Sequence, residues 1–436
     1  MSPKGPTGRV RAPAAILMTL ALASAAAAGQ PSGPPPGPRP AAETQAPPPL
    51  RRVTFADLPG WAAEEHAEIL PALLGTCAAL RPMRPDAVLG GRGGAALRAG
   101  SAAPWQELCP ALEALQRDLP RPPPQGVGRA HERRLAAWRA RRNAMVRAHL
   151  EAKFEPFAAG TGLMTGYYEP VLRGAAAPDA TFRTPLHARP PELVEQPVAG
   201  EPLRRRYGVM VDGRLEPFHD RAAIETGALA GRGLELVWVD DPTDAFFLHI
   251  QGSGRVVLPD GRLLRVGYAG QNGRGYVPIG RILIERAEIP RERMSMQAIR
   301  EWLAAADRDR ALELLRANPS YVFFREVEGL SPEQGPIGAL GVPLTPRRSV
   351  AVDRAFIPLA TPIFVTLRDP AAPQAAPPAG RLVVAQDVGG AIRGPARTDY
   401  FWGWGPEAGE RAGRMRDEAG VFLLLPRPVG TAAAAD

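Results

Sequence analysis

What the 436-residue chain lacks narrows it first. Cysteine occurs only twice, as Cys77 in LLGTCAALRP and Cys109 in WQELCPALEAL. Neither stands beside histidines at metal-ligand spacing, so no metal is expected. The glycine runs GSG at 252–254 and GWGPEAG at 403–409 have no βα unit of the right spacing around them, and no Gly-Lys-Ser/Thr occurs. That excludes the dinucleotide fingerprint and the phosphate-binding loop, and no cofactor is expected. HIQGSG brings His249 close to Ser253 but lacks the G-x-S-x-G elbow of a serine hydrolase. The stretches DVGG and TDYF lack the Asp-Thr/Ser-Gly pattern that an aspartic-protease pair needs.

A long apolar run is missing at the front as well. Lys4, Arg9 and Arg11 precede an alanine-rich run from Ala14 to about Ala23, followed by small residues. This reads as a signal peptide over 1–29, because the run is too short for a comfortable membrane span. An uncleaved amino-terminal anchor is the alternative, and no cysteine follows to accept a lipid. QPSGPPPGPRPAAETQAPPPL then marks a proline-rich, disordered spacer over 30–52. The net charge of +8 is modest and spread along the chain, which argues against a nucleic-acid partner and leaves an anionic polymer open. In an exported chain, Cys77 and Cys109 read as a disulfide, with two buried thiols as the other possibility.

The apolar content of 45 % supports sizeable cores. Ile69, Leu70, Leu73, Leu74, Cys77 and Leu80 recur at helical spacing between Trp61 and Leu80, with Pro71 marking a kink or a restart. A second helix is expected over 129–153, with Leu135, Trp138, Met145 and Leu150 near one side and arginines on the other. From GTG at 160–162 onward, short alternating runs predict strands, and AFFLHIQ is read among them. GVMVDGRLEP and RVVLPDGRLLRV carry Asp-Gly between strand-like runs, the signal of a two-residue type I′ hairpin. Ser295 should cap a helix through MQAIREWLAAAD, and ALELLRANP should form another ending at Asn318 and Pro319. YVFFREV, SVAVD, IPLATPIFVTL, RLVVAQDV, DYFWG and VFLLLP then predict a second small barrel.

Against that frame, AQDVGGAIRGPARTDYFWGWG at 385–405 holds Asp387 and Asp399 in an apolar, glycine-rich and aromatic setting. A carboxylate so placed is solvated, bonded for structure, or held under strain for chemistry. Glycan cleavage needs carboxylates, and sugar rings bind aromatic faces. Tyr400, Phe401 and Trp402, with a like charge at Asp387, would raise the pKa of Asp399. Arg393 and Arg397, the cations between the two aspartates, would hold anionic substrate groups or lower a neighbouring pKa.

MTGYYEPVLRG, AFFLHIQGSGRV, RVGYAGQNGRGYVPIGR, NPSYVFFRE and AQDVGGAIRGPARTDYFWGWGPEAGERAG together resemble the membrane-bound lytic murein transglycosylase A family, including its carboxyl-terminal "3D" domain. The resemblance covers roughly residues 55 to 426. It implies a mainly β fold with N-terminal helices: a double-psi β-barrel (3D) domain, a second inserted β-barrel-like domain, and a groove between them. The implied divisions are 53–164 for the helical part of the main domain, 165–318 for the insert, 319–428 for the barrel part, and a disordered tail at 429–436. The implied activity is that of a peptidoglycan lytic exotransglycosylase, which cleaves the bond from N-acetylmuramic acid to N-acetylglucosamine without water and leaves 1,6-anhydro ends.

By the same resemblance Asp399 is the catalytic acid and then base, with Asp387 and Asp353 as supporting aspartates. The groove is expected to use Thr165, Tyr168 and Glu169 from TGYYEP, Gln251, Ser253 and Arg255 from QGSGR, and Tyr268 and Asn272 from GYAGQN. Each has a structural alternative: a core tyrosine, an ion-paired glutamate, a turn-bonded glutamine. Peptidoglycan glycan strands, with other cell-wall enzymes, are the implied partners of a monomer in the periplasm near the outer membrane. A hydrolytic muramidase with two carboxylates and a non-catalytic peptidoglycan-binding scaffold are the rival readings.

Overall fold

The computed structural model describes residues 50–198, 201–367 and 379–428. The expected signal peptide, the spacer up to residue 49 and the tail at 429–436 lie outside the described residues. The spacer does not run to 52, because Arg51 and Arg52 already pair with Ala158 and Phe157 at a sheet edge.

Two short 3₁₀ turns, Trp61–Ala63 and His66–Ile69, lead into α1 (Leu70–Leu80). Pro71 sits in the first turn of α1, where a missing N–H leaves no helical bond unmade, so it restarts the helix rather than kinking it. Helix α2 (Cys109–Asp118) is joined to α1 by the Cys77–Cys109 disulfide. Helix α3 (Arg129–Lys153) occupies the expected span but buries only Val146 and Leu150. This layer is tied to the barrel below it through polar bonds as well as packing. The Gln386 amide donates to the Ala72 carbonyl and the Thr76 hydroxyl, each at 2.8 Å, and buried Arg348 pairs with Glu64 and Glu68.

The barrel closes from six strands distant in sequence. Strand β1 (Phe154–Glu169) precedes an insertion, and the remaining barrel strands follow it. Within the insertion lie β2 (Val171–Ala175), β3 (Thr184–His187), β4 (Val194–Val198), β5 (Glu201–Val211), β6 (Arg214–Glu216) and β7 (Glu235–Val239). Then come α4 (Pro242–Gln251), β8 (Ser253–Val257), β9 (Leu263–Gln271), α5 (Met296–Ala305), α6 (Arg308–Arg316) and β10 (Val322–Glu326). The barrel resumes with β11 (Ser349–Val352), β12 (Pro362–Leu367), β13 (Ala379–Asp387), β14 (Thr398–Trp404), α7 (Gly405–Arg414) and β15 (Arg416–Pro426). Its order is β1-β14-β11-β13-β12-β15, and β15 pairs back onto β1. The β1–β14 and β11–β13 contacts are parallel and the others antiparallel. Helix α7 lies on the outer face of β1 so closely that a Cβ at Gly166 would come within 2.8 Å of the Ala412 backbone.

The insertion forms a six-stranded sheet, β10-β9-β8-β2-β7-β3, and a three-stranded one, β4-β5-β6. Asp212 and Gly213 both have positive φ, 48° and 74°, so the hairpin of GVMVDGRLEP is the expected tight turn. The LPDGR loop is wider: Val257 pairs with Leu263, and five residues lie between. AFFLHIQ is not a strand. Asp241 caps α4 by accepting from the Thr243 N–H at 2.7 Å, and Phe246, Phe247 and Leu248 are all buried, as in a helix covered on most sides. VFFRE does not belong to the barrel either. As β10 it pairs with β9, because Phe323 and Phe324 fill cores of the insertion.

Candidate active site

The topology explains why two aspartates twelve positions apart belong to one site. In the parallel pairing of β11 with β13, Ala351 stands opposite Asp387. In the antiparallel pairing of β11 with β14, the same Ala351 stands opposite Asp399. The two acidic residues therefore flank one alanine across three adjacent strands, with backbones about 10 Å apart. On the far side of Asp399, β1 supplies Thr165 in register. The row Asp387, Ala351, Asp399, Thr165 crosses four strands, with only the small side chain of buried Ala351 between the two acidic residues.

Asp399 is half-buried, and its Oδ1 accepts a hydrogen bond from the Thr165 hydroxyl. Thr165 Oγ1 in turn accepts from the Arg397 guanidinium at 2.7 Å. Among the described residues, Asp399 Oδ2 has no protein partner, so one oxygen is held and the other faces outward. Burial pushes the carboxyl up to about 6, and Asp387 adds to the rise, while Thr165 and Arg397 oppose it. A carboxyl poised there keeps a minor protonated fraction near neutrality, far larger than that of an exposed aspartate, and still loses its proton readily.

Asp387 is engaged on both oxygens. Oδ1 accepts from the Ala339 N–H at 3.0 Å and Oδ2 from the Tyr167 hydroxyl at 2.9 Å. Burial raises its pKa, and these donors limit the rise. Tyr167 packs on Phe401, ring centres 5.2 Å apart, and its own pKa is raised well above the usual range by burial and by both aspartates. Asp353 is 6 % exposed and accepts from the Ala355 N–H at 3.1 Å and the Gly394 N–H at 2.9 Å. It thereby pins the loop that delivers Asp399, a structural task. Arg393 is exposed, whereas Arg397 binds Thr165 and the Leu163 carbonyl, so only Arg397 belongs to the site.

The expected groove residues divide. Thr165 is at the site. Tyr268 is 43 % exposed on β9, edge-on to Tyr207 with ring centres 6.3 Å apart, and is available to a ligand. Ser253 is half-buried at the start of β8. The buried Glu169, Arg255, Asn272 and Tyr168 are corrected to structural roles, and Gln251 is half-buried. Glu169, 1 % exposed, pairs with Arg255 at 2.8 Å and Arg265 at 2.7 Å. Arg255 also donates to the Pro332 and Gln334 carbonyls and lies 4.1 Å over the Trp404 ring. Asn272 is fully buried, and its side chain bonds the His219 and Pro319 carbonyls and the Tyr321 N–H. Tyr168 is buried against α7, and Gln251 accepts from its backbone N–H at 3.1 Å.

Tyr167, which bonds Asp387, is the site residue that sequence reasoning missed. The signal was the two-residue period of a strand: counting from Thr165 selects Tyr167, whereas Tyr168 points to the opposite face. Among the described residues no group of three or more potential metal ligands occurs, and no helix is long and apolar enough to cross a membrane.

A barrel interrupted after its first strand by a β insertion, with an acid held at the barrel mouth, defines a two-part β enzyme. The "MltA specific insert domain" description matches residues 163–325, and the "3D domain" description matches residues 348–425. The chain is 37 % identical to a membrane-bound lytic murein transglycosylase from Agrobacterium tumefaciens of known crystal structure, covering 87 % of this chain and 98 % of that one with a TM-score of 0.69. A Vibrio cholerae membrane-bound lytic murein transglycosylase A is 36 % identical over 268 residues, 61 % of this chain and 66 % of the relative, so the match spans just under two thirds of that protein's length. Escherichia coli MltA with bound chitohexaose is 33 % identical over 65 % of this chain and 79 % of that one, with a TM-score of 0.53. The chain belongs to the membrane-bound lytic murein transglycosylase A family.

Proposed function

We propose that the protein is a lytic transglycosylase that cleaves the β-1,4 bond from N-acetylmuramic acid to N-acetylglucosamine in peptidoglycan. Protonated Asp399 donates through Oδ2 to the leaving glycosidic oxygen, and the resulting carboxylate takes the proton from the muramic acid 6-hydroxyl as that oxygen closes on the anomeric carbon. The bond to the leaving sugar breaks, the bond from O6 to C1 forms, and the proton count returns to its start. Thr165, itself held by Arg397, holds Asp399 Oδ1, which leaves Oδ2 for the substrate. Asp387 shapes the field and does not touch the proton.

The observation that carries this reading is the asymmetry of the pair. A hydrolase needs its second carboxylate to activate water or to attack the sugar. Asp387 has both oxygens committed to Tyr167 and Ala339, whereas Asp399 has one oxygen open. The glycan is proposed to lie between the barrel mouth and the inserted sheets, with Tyr268 as an aromatic contact. The binding of chitohexaose by the Escherichia coli relative supports a groove for N-acetylated sugars, and the membrane-bound character of the named relatives supports a site of action in the cell envelope, which we place in the periplasm.

Digestion of purified peptidoglycan by the wild type and by Asp399→Asn, followed by mass analysis of the muropeptides, tests the proposal. Anhydro-ended products from the wild type, and loss of at least a thousandfold in rate with Asp399→Asn, are expected. Reducing ends would point to the hydrolase, and no cleavage by the wild type would point to the scaffold.

A further inference from the structure

Helix α3 is about 37 Å long at 1.5 Å per residue, yet its buried residues, Val146 and Leu150, both lie in its carboxyl-terminal half. The first half is held to the body by Trp138, whose indole N–H donates to the Pro120 carbonyl at 2.8 Å. Its outer side is open. From 129 to 150 the helix contains a single acid, Glu132, and that residue falls on the Leu150 side of the helical wheel.

At 100° per residue, Arg129, Arg133, Arg134 and Arg141 occupy an arc of about 140° on the side opposite Val146. All four are exposed, and among the described residues none has an ion-pair or hydrogen-bond partner. Exposed Ala130, Ala137 and Ala144 fill the centre of the arc. Four unpaired guanidinium groups thus surround a strip with no bulky side chain, which lets them settle together on a flat surface. The convex face of a helix suits such a surface better than it suits a single glycan strand, which a groove would enclose. The guanidinium fork is matched to phosphate oxygens.

We propose that the exposed face of α3 docks the enzyme on an anionic phospholipid surface. The contact is electrostatic and peripheral, because the arc carries no large apolar side chain to insert. It is independent of the assignment of Asp399, and a vesicle measurement reads it without any turnover.

The test is co-sedimentation of the full chain with phosphatidylcholine vesicles, with and without about 30 mol% phosphatidylglycerol, compared with a quadruple variant R129Q/R133Q/R134Q/R141Q. The wild type should partition onto the phosphatidylglycerol vesicles and be released by about 0.5 M salt. The variant should lose roughly a hundredfold in that partitioning while keeping its melting temperature and its rate on soluble glycan. Binding contributed by the amino-terminal segment, whose own cations also favour phosphatidylglycerol, would appear equally in both proteins and leaves the difference between them unchanged. Equal binding by variant and wild type, no preference for phosphatidylglycerol, or a charge-dependent loss of binding to isolated sacculi with none to vesicles would each overturn the proposal.

Discussion

Asp399 carries the account at the scale of the residue, and its pKa makes a signed prediction. The acid step needs the protonated form, so kcat/KM should fall about tenfold per pH unit above about pH 6. Asp387 is one of the groups that raise this value, so Asp387→Asn should move that limb to lower pH while leaving measurable activity. The same shift bears on stability. The folded carboxyl titrates at about 6 against 3.8 when exposed, so its contribution is full below pH 3.8 and is lost as pH rises through 6. Asp399→Asn removes that loss. The variant should melt roughly 2–4 °C above the wild type at pH 7.5 and at the same temperature below pH 3.8, as read by calorimetry.

Elements explain which residues the sequence exposed to reading and which it hid. Local capping was legible: Ser295 accepts from the Ala298 N–H, and Asn318 and Pro319 follow the end of α6, because such bonds lie within a few residues. The apolar run AFFLHI fits a buried strand or a buried helix equally, and only the Asp241-Pro242 start distinguishes them. The site row was not legible, because Ala351 joins Asp387 to Asp399 through strand pairings that no local pattern encodes. Glu169 shows the same limit. Its partners Arg255 and Arg265 come from β8 and β9, about 90 residues away in sequence and next to it in space. Because this cluster is buried, Glu169→Ala leaves two guanidinium groups unpaired and should cost about 3–5 kcal/mol in urea unfolding. An unchanged midpoint would instead return Glu169 to the groove.

Across the whole molecule, five separated motifs carry the family resemblance, and the fold explains their separation. MTGYYEPVLRG ends the first barrel strand and enters the insertion, two motifs lie within the insertion, NPSYVFFRE closes it, and the aspartate motif completes the barrel. The disulfide belongs to the helical layer, apart from the site, and closes a loop with a sequence separation of 32. Its reduction should lower stability by about 3–4 kcal/mol while anhydro products persist at temperatures where the reduced protein stays folded. The central claim is that one acid serves both halves of a reaction in which water takes no part. Digestion of peptidoglycan in ¹⁸O-labelled water, with mass analysis of each new muramic acid end, measures that directly. Anhydro ends that contain no ¹⁸O are expected, and ends that have gained one labelled oxygen would contradict a water-free reaction.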